Sequence, residues 1–394
     1  MNWRTRSGES WGLLGMKFNL SDICDYAKGK IDVTVLDEDT YISTENMMPN
    51  KCGITNASSL PTVAQTQAFS AGDVLVSNIR PYFKKIWFAE YDGGCSNDVL
   101  VFRAKDGVSK RFLYYALADD TFFDYSMATS KGTKMPRGDK AAIMKYSVPD
   151  FTFEEQEKIA GILEVLDRKI QINTEINDNL LQQAQNIFAQ EFLAIDSIPD
   201  GWQKSSLLGI ADYLNGLAMQ KYRPNDDEQG LPVLKIKELR QGYCDVNSEL
   251  CSPSIKPEYI IHDGDVIFSW SGSLLVDLWC GGICGLNQHL FKVTSSTYDK
   301  WFYYSWTHHY LRKFAVIAAD MATTMGHIKR KELAKAEVLI PSQSDYDRIG
   351  GQLAPLYDLV IANRIENRKL ASLRDELLPQ LMSGQLDVSK VSLE

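Results

Sequence analysis

The chain has 394 residues, 44% of them apolar and 24% charged, and a formal net charge of −9. This is ordinary globular composition with length for two or three domains. No apolar run approaches the eighteen or so residues of a membrane span, the N-terminus lacks a signal peptide's apolar stretch, and seven cysteines without a CxxC pair fit reduced thiols, so a cytoplasmic protein is expected.

In chain order the sequence reads as five parts: residues 1–15, an N-terminal extension; 16–152, a first mixed unit; 153–199, a helical spacer; 200–341, a second mixed unit; and 342–394, a second helical spacer. The first mixed unit opens with "ICDYAKG" at 23–29 and continues through short β-branched and aromatic runs, "VLVSNI", "KIWFAEY" and "DVLVF", punctuated by glycine turns. That spacing predicts an antiparallel or mixed sheet, followed by an aromatic-rich helical segment near 109–125 and a last strand ending at Pro149. The second mixed unit repeats the phrases in order. "IADYLNG" answers "ICDYAKG" at an offset of 187, "GDVIFS" answers "GDVLVS" at 192, "MATTMG" answers "MATSKG" at 194, and "LIP" answers "SVP" at 192. Chance matches would not stay collinear, so the chain is a tandem duplication with a period of about 190 residues.

After each proline the apolar period changes. Ile159, Leu163, Leu166, Ile170, Asn173, Asn177, Leu180, Ala184 and Ile187 recur at steps of three and four, and Ile349, Leu353, Leu356, Val360, Asn363, Asn367 and Leu370 repeat the pattern. This predicts two long amphipathic helices with a heptad seam. The seam carries an asparagine pair in each copy, and polar seam residues fix register at a cost in stability. Asn173 and Asn177 are therefore expected to face Asn363 and Asn367. The fold class is α+β: two tandem mixed or antiparallel-sheet domains joined by two long helices that form an antiparallel coiled coil, related by a pseudo-twofold.

The acidity is unevenly placed. Residues 153–199 carry 3 Lys+Arg against 9 Asp+Glu, whereas 16–152 carry 16 against 17 and 200–341 carry 15 against 16. Near-neutral units can present basic loops despite an acidic chain. There is no Walker loop, no cofactor loop and no Asn-Pro-Pro-Tyr-like methyltransferase motif. Asp150 with Asp167 and Lys169 only superficially suggests a nuclease, because the latter two fall on the predicted long helix. Cys280, Cys284 and His289 lack a second metal-ligand pair, and His262, His308 and His309 lack a nucleophile partner. No enzymatic centre is expected.

Pro149, Glu155, Gln156, Ile159, Ala160 and Leu163, together with "IPDGW" at 198–202 and "LRDELLPQLMSGQLDV" at 373–388, resemble the specificity subunits of type I restriction-modification systems from about residue 16 onward. "SQSDYDRIGGQL" departs from the Glu-Gln pattern in the second copy, and residues 1–15 have no counterpart in it. The resemblance implies two target-recognition domains that read a split, asymmetric double-stranded DNA target, one half-site each. It further implies two docked methyltransferase subunits that bring S-adenosylmethionine for adenine methylation, and motor-nuclease restriction subunits that can join them. No cofactor is expected on this chain. A coiled-coil protein–protein adaptor in a related phage-defence system is the competing reading.

Sequence-specific binding needs donors to phosphates and side chains that reach base edges. In the first copy, "SNIRPYFKK" supplies Asn78, Arg80, Tyr82, Lys84 and Lys85, and "SKGTKMPRGDK" supplies Lys131, Thr133, Lys134 and Arg137. The matching loops of the second copy supply Trp270 and Ser271, and then Thr323, Thr324, His327, Lys329 and Arg330. Asn97 and its counterpart Asn287, beside Gln288, are candidate adenine readers, and Lys221 and Arg223 are further phosphate contacts. The two loop sets differ while the scaffold repeats, which predicts an asymmetric target.

Overall fold

The computed structural model describes residues 17–320, 328–389 and 391. It divides into one unit of residues 1–168 with 371–394 and a second of residues 169–370.

In the first unit the entering strand β1 (Lys17–Asn19) and the strand β10 (Ser147–Pro149) pair antiparallel, so the chain enters and leaves at one place. Between them lie β2 (Cys24–Tyr26), β3 (Lys30–Asp32), β4 (Tyr41–Ile42), β5 (Gln65–Phe69), β6 (Val74–Ser77), β7 (Ile86–Phe88), β8 (Gly93–Cys95) and β9 (Val99–Ala104). They form an antiparallel sheet ordered β2-β9-β6-β7 and a mixed sheet ordered β3-β5-β8-β4, in which β4 and β8 run parallel. All four residues of β6 are buried. Val74 and Val76 face a core shared with helices, and Leu75 faces Phe69 and Cys95 of the other sheet. A strand covered on both faces reads as a continuous apolar run, which is why "VLVS" shows no alternation.

The second unit has the same plan. β11 (Gln203–Ser206) pairs with β20 (Glu337–Ile340). β12 (Asp212–Asn215), β16 (Val266–Ser269), β17 (Leu275–Leu278) and β19 (Leu290–Thr294) make an antiparallel sheet ordered β12-β19-β16-β17. β13 (Leu231–Leu234), β14 (Leu250–Cys251), β15 (Ile260–Ile261) and β18 (Cys284–Leu286) make a second sheet ordered β14-β13-β18-β15, with β13 and β18 parallel. The trios β4-β8-β5 and β13-β18-β15 correspond, but the fourth strand sits on opposite edges. In the first unit β3 extends β5, and in the second β14 extends β13.

The repeated phrase "GDV" has a structural reason. Gly72 and Gly264 adopt φ of +90° and +85°, which L side chains rarely tolerate. Asp73 and Asp265 accept the backbone N–H of Ser70 and His262, each at 2.8 Å, so turn and strand start are set alike. The aromatic segments differ. Asp119 ends the helix Lys110–Ala118 and caps the next, Asp120–Ala128, whereas Lys300–Asp320 is continuous.

The long helices are Phe153–Phe188, continued by a π-type turn at Ala189–Leu193, and Gln343–Met382. Their starts show how different residues keep one design. Thr152 and Glu155 cap each other at the first, and Ser342 and Asp345 do so at the second. Gln156 Oε1 accepts the N–H of Ser109 at 3.0 Å, and Tyr346 Oη accepts that of Asp299 at 2.7 Å. The departure of "SQSDY" from the Glu-Gln pattern thus preserves both the cap and the tie.

Within the second unit the helix segments run antiparallel. Asn173, 1% exposed, donates to Asn367 Oδ1 at 2.8 Å, and Asn363 donates to Asn177 Oδ1 at 3.0 Å. Within the first unit Arg374 pairs with Asp167 at 2.7 Å, and Asp167 also accepts the Tyr115 hydroxyl at 2.8 Å. None of the described helices is long and apolar enough to cross a membrane.

Candidate nucleic-acid interface

In the first unit three loops meet at the end of β6. Residue 79 bridges residue 137, the N–H of Arg80 donates to Pro136 O at 2.8 Å, and the N–H of Gly138 donates to Asn78 O at 3.3 Å. Lys131 and Arg137 exchange backbone hydrogen bonds at 2.9 and 3.0 Å, making a small hairpin whose tip exposes Thr133, Lys134 and Met135. The turn carrying Asn97 joins them, because Asn78 N–H donates to Asp98 O at 2.8 Å. A further loop, absent from the sequence expectation, packs on the far side: Asn50 N–H donates to Phe83 O and Lys51 N–H to Lys84 O, at 2.8 and 2.9 Å.

This corner is conformationally expensive. Asn50, Lys51, Arg80 and Lys84, at φ of 49° to 61°, are the non-glycine residues with positive φ among those described. Left-handed backbone costs such residues roughly 1–2 kcal/mol each, and strain of this kind gathers where loops are held for a task. Among the described residues Asn78, 7% exposed, has no hydrogen-bond partner for Oδ1, and the Nε of Arg80 is buried without one. Buried polar atoms are nearly always satisfied, so these two mark the corner as unusual.

The candidate cations are largely neutralised. Lys84 and Lys51 both reach Asp120 at 2.7 and 2.8 Å, Lys131 reaches Asp139 at 2.6 Å, and Arg137 reaches Asp98 at 3.2 Å. Lys85 departs from expectation. Its ammonium donates to the carbonyl of Thr44 at 2.6 Å, and burial pulls its pKa down, so at least one of its donors is spent within the fold. Lys134 has no ion-pair partner among the described residues, and Tyr82 is 48% exposed.

The second unit builds the same corner with other side chains. Ile328 N–H donates to Trp270 O at 3.0 Å, as Gly138 does to Asn78. Trp270 is therefore the counterpart of Asn78, and its indole N–H donates to Asn215 Oδ1 at 3.0 Å. Ser271 is buried, with Oγ 3.2 Å from His289 Nδ1, and so faces inward rather than toward a ligand. Lys329 is exposed, and Arg330 Nη1 donates to Tyr213 O at 3.3 Å. Thr323, Thr324 and His327 lie outside the described residues. Lys221 is exposed and Arg223 pairs with Glu249, but no hydrogen bond or ion pair among the described residues ties them to the Trp270 loop.

Strand register corrects one equivalence. Ser77 pairs with Val99 and Ser269 with Leu290, which places Asn97 opposite Gln288, not Asn287. Asn287 instead matches Ser96: each accepts, at 3.2 Å, the N–H of the residue two further on, Asp98 or His289. Asn287 is 7% exposed and shapes the turn, while half-buried Gln288 holds the outward place, its Nε2 3.4 Å from His289 Nε2. Asp98 and His289, which the sequence did not single out, occupy corresponding places. No group of acidic, histidine and cysteine residues suited to a metal ion occurs among the described residues, and Cys280 and Cys284 are buried thiols.

Residues 15–182 match the type I restriction modification DNA specificity domain. The chain is 24% identical over 311 residues to the specificity subunit of the type I restriction enzyme MjaIX of Methanocaldococcus jannaschii, covering 73% of this chain and 71% of that one. It is 20% identical over 457 residues to the HindI specificity subunit of Haemophilus influenzae, covering 94% and 99%. Its fold is similar to the crystal structure of the type I restriction-modification S subunit from M. genitalium, with a TM-score of 0.59 at 14% identity over 95% of this chain and 98% of that one. In its matched domain, in these relatives and in fold, the chain is similar to the specificity subunits of type I restriction-modification systems.

Proposed function

We propose that this chain is the non-catalytic DNA reader of such a system in the cytoplasm, binding a split, asymmetric double-stranded target with one half-site per unit. The observation that carries the reading is the repeated corner. In both units the loop after β6 or β16 is hydrogen-bonded to the loop before the short helix at 140 or 330, yet the side chains at corresponding places differ, Asn78, Asn97 and Lys140 against Trp270, Gln288 and Arg330. One scaffold with two chemistries suits two unlike half-sites, since base edges are told apart by donor and acceptor pattern. The asparagine ladder between the long helices sets their register, and with it the unspecified gap. Two methyltransferase subunits carrying S-adenosylmethionine dock on this chain and methylate adenine by base flipping, and restriction subunits can complete the complex.

Co-expression with the cognate methyltransferase subunit, followed by single-molecule mapping of modified adenines, tests this. A bipartite asymmetric motif methylated once per strand is the expected result. A complex that forms yet binds DNA without salt dependence would favour the adaptor reading, because phosphate contacts release counterions.

A further inference from the structure

The units differ at one place where the repeat should make them alike. In the second, β12 stays on β19 and beyond: Asn215 pairs with Phe291, and Gly216 N–H donates to Leu290 O at 3.0 Å. The approach is so close that a Cβ on Gly216 would lie 2.2 Å from Asn287 O. In the first, β2 leaves β9 after Ala27, whose N–H donates to Val101 O at 2.8 Å. Gly29, at φ +121°, turns the chain away, and its carbonyl accepts the N–H of Ala68 at 3.2 Å as β3 joins β5. The departing strand leaves a notch along residues 99–101, a cavity of about 270 Å³ lined also by Tyr26, Gln67, Asn97 and Lys140.

The lining has a defined chemistry. Gln67 spends both amide hydrogens on the carbonyls of Ala27 and Ala68, at 3.1 and 3.0 Å, leaving Oε1 as an acceptor. Asn97 is exposed, and its carboxamide makes no hydrogen bond among the described residues, so it can both donate and accept. Lys140 has no ion-pair partner among the described residues, and its carbonyl accepts the Tyr26 hydroxyl at 3.0 Å, which fixes the rim. The space is below the roughly 300–1,000 Å³ of sites for drug-sized ligands. A fixed acceptor beside a two-way amide complements the edge of a small heterocycle that carries an amine. An ammonium at the rim suits the attached phosphate.

We propose that the first unit binds a nucleobase with an exocyclic amine, adenine, cytosine or guanine, in this cavity, with Lys140 on its phosphate. The inference rests on the DNA reading above and takes the base to be one turned out of the first half-site. The second unit, with its strand continuous and Arg330 bonded to the Tyr26 counterpart Tyr213, reads its half-site with bases stacked.

The test uses the full chain with its methyltransferase partner on duplexes of the mapped target, with 2-aminopurine placed beside each first-half-site base in turn. A several-fold rise in fluorescence is expected at one position other than that beside the adenine the partner flips for methylation, and only such a position counts as a signal. Ala27→Leu, which copies Leu214 of the second unit, should abolish it and Asn97→Ala reduce it, with salt-dependent DNA binding retained. In parallel, saturation-transfer NMR of the chain with dAMP, dCMP, dGMP and dTMP should give signals for the first three that Ala27→Leu removes. Mononucleotide signals without any fluorescent position keep the nucleobase site and move its source to a free nucleotide. Salt-dependent DNA binding with neither signal overturns the cavity proposal and leaves the DNA reading standing. Absence of salt-dependent binding overturns that reading and with it a DNA source for the base.

Discussion

Replacing Asn173 with alanine probes the helix seam most directly. Its carboxamide is 1% exposed and donates to Asn367 Oδ1 at 2.8 Å, while Asn367 in turn donates to Ile170 O at 3.2 Å. Asn173→Ala removes two hydrogen bonds, those to Asn367 and Glu366, and leaves the half-buried Asn367 oxygen short of a partner. Orphaning a buried polar group costs about 1–3 kcal/mol, and partial access of Asn367 to water puts the expected loss near the middle, about 2 kcal/mol. Glu366, which also accepts from Asn173 at 2.7 Å, faces solvent and keeps Lys169, so it adds nothing to the figure. Asn173→Leu combined with Asn367→Leu removes both partners and should fall within about 1 kcal/mol of the parent, because paired polar groups exchanged for packed apolar ones are often neutral. Urea unfolding of the four members of the cycle gives the coupling energy, expected at about 0.5–3 kcal/mol. The double leucine chain should also lose definition in the gap between methylated half-sites, as polar seam residues select register. A single substitution that costs under about 0.5 kcal/mol, or strict additivity in the cycle, would refute the reasoning.

Four further outcomes are expected. Lys134→Ala should weaken DNA binding to all sequences alike and lower the slope of log affinity against log salt by about 0.9, read by fluorescence anisotropy. Asp98→Asn frees Arg137 from its 3.2 Å ion pair and should tighten non-specific binding while steepening that slope; an unchanged slope would place Arg137 off the DNA. Asp263 is held below its ordinary pKa of 3.8 by hydrogen bonds from Arg368, so its contribution to the second unit is present above that value and is lost as pH falls through the lower folded value. Asp263→Asn should therefore flatten the acid limb of a stability–pH curve below about pH 4 and leave neutral pH less stable than the parent. Gly216→Ala puts a methyl 2.2 Å from Asn287 O and should cost about 1–3 kcal/mol by thermal melting, with Gln288 displaced.

The sequence alone carried the duplication, the two long helices and the polar seam, because collinear phrases and a three-four apolar period are local patterns that need no knowledge of partners. It also located the loops after β6 and β16, whose glycine and proline content betrays turns. Three things waited for the tertiary structure. Strand register exchanged Asn287 for Gln288 as the counterpart of Asn97, since a one-residue difference in loop length is invisible in an alignment by eye yet turns a side chain from surface to core. Ion pairs set the state of the cations: Asp98, Asp120 and Asp139 neutralise Arg137, Lys84 and Lys131, and in the Lys84 pair the partner is 36 residues away. The edge on which β3 or β14 joins its sheet fixed where a cavity opens, although "ICDYAKG" and "IADYLNG" look alike. Periodicity is written residue by residue along the chain, whereas pairing partners, charge neutralisation and voids belong to residues that only folding brings together.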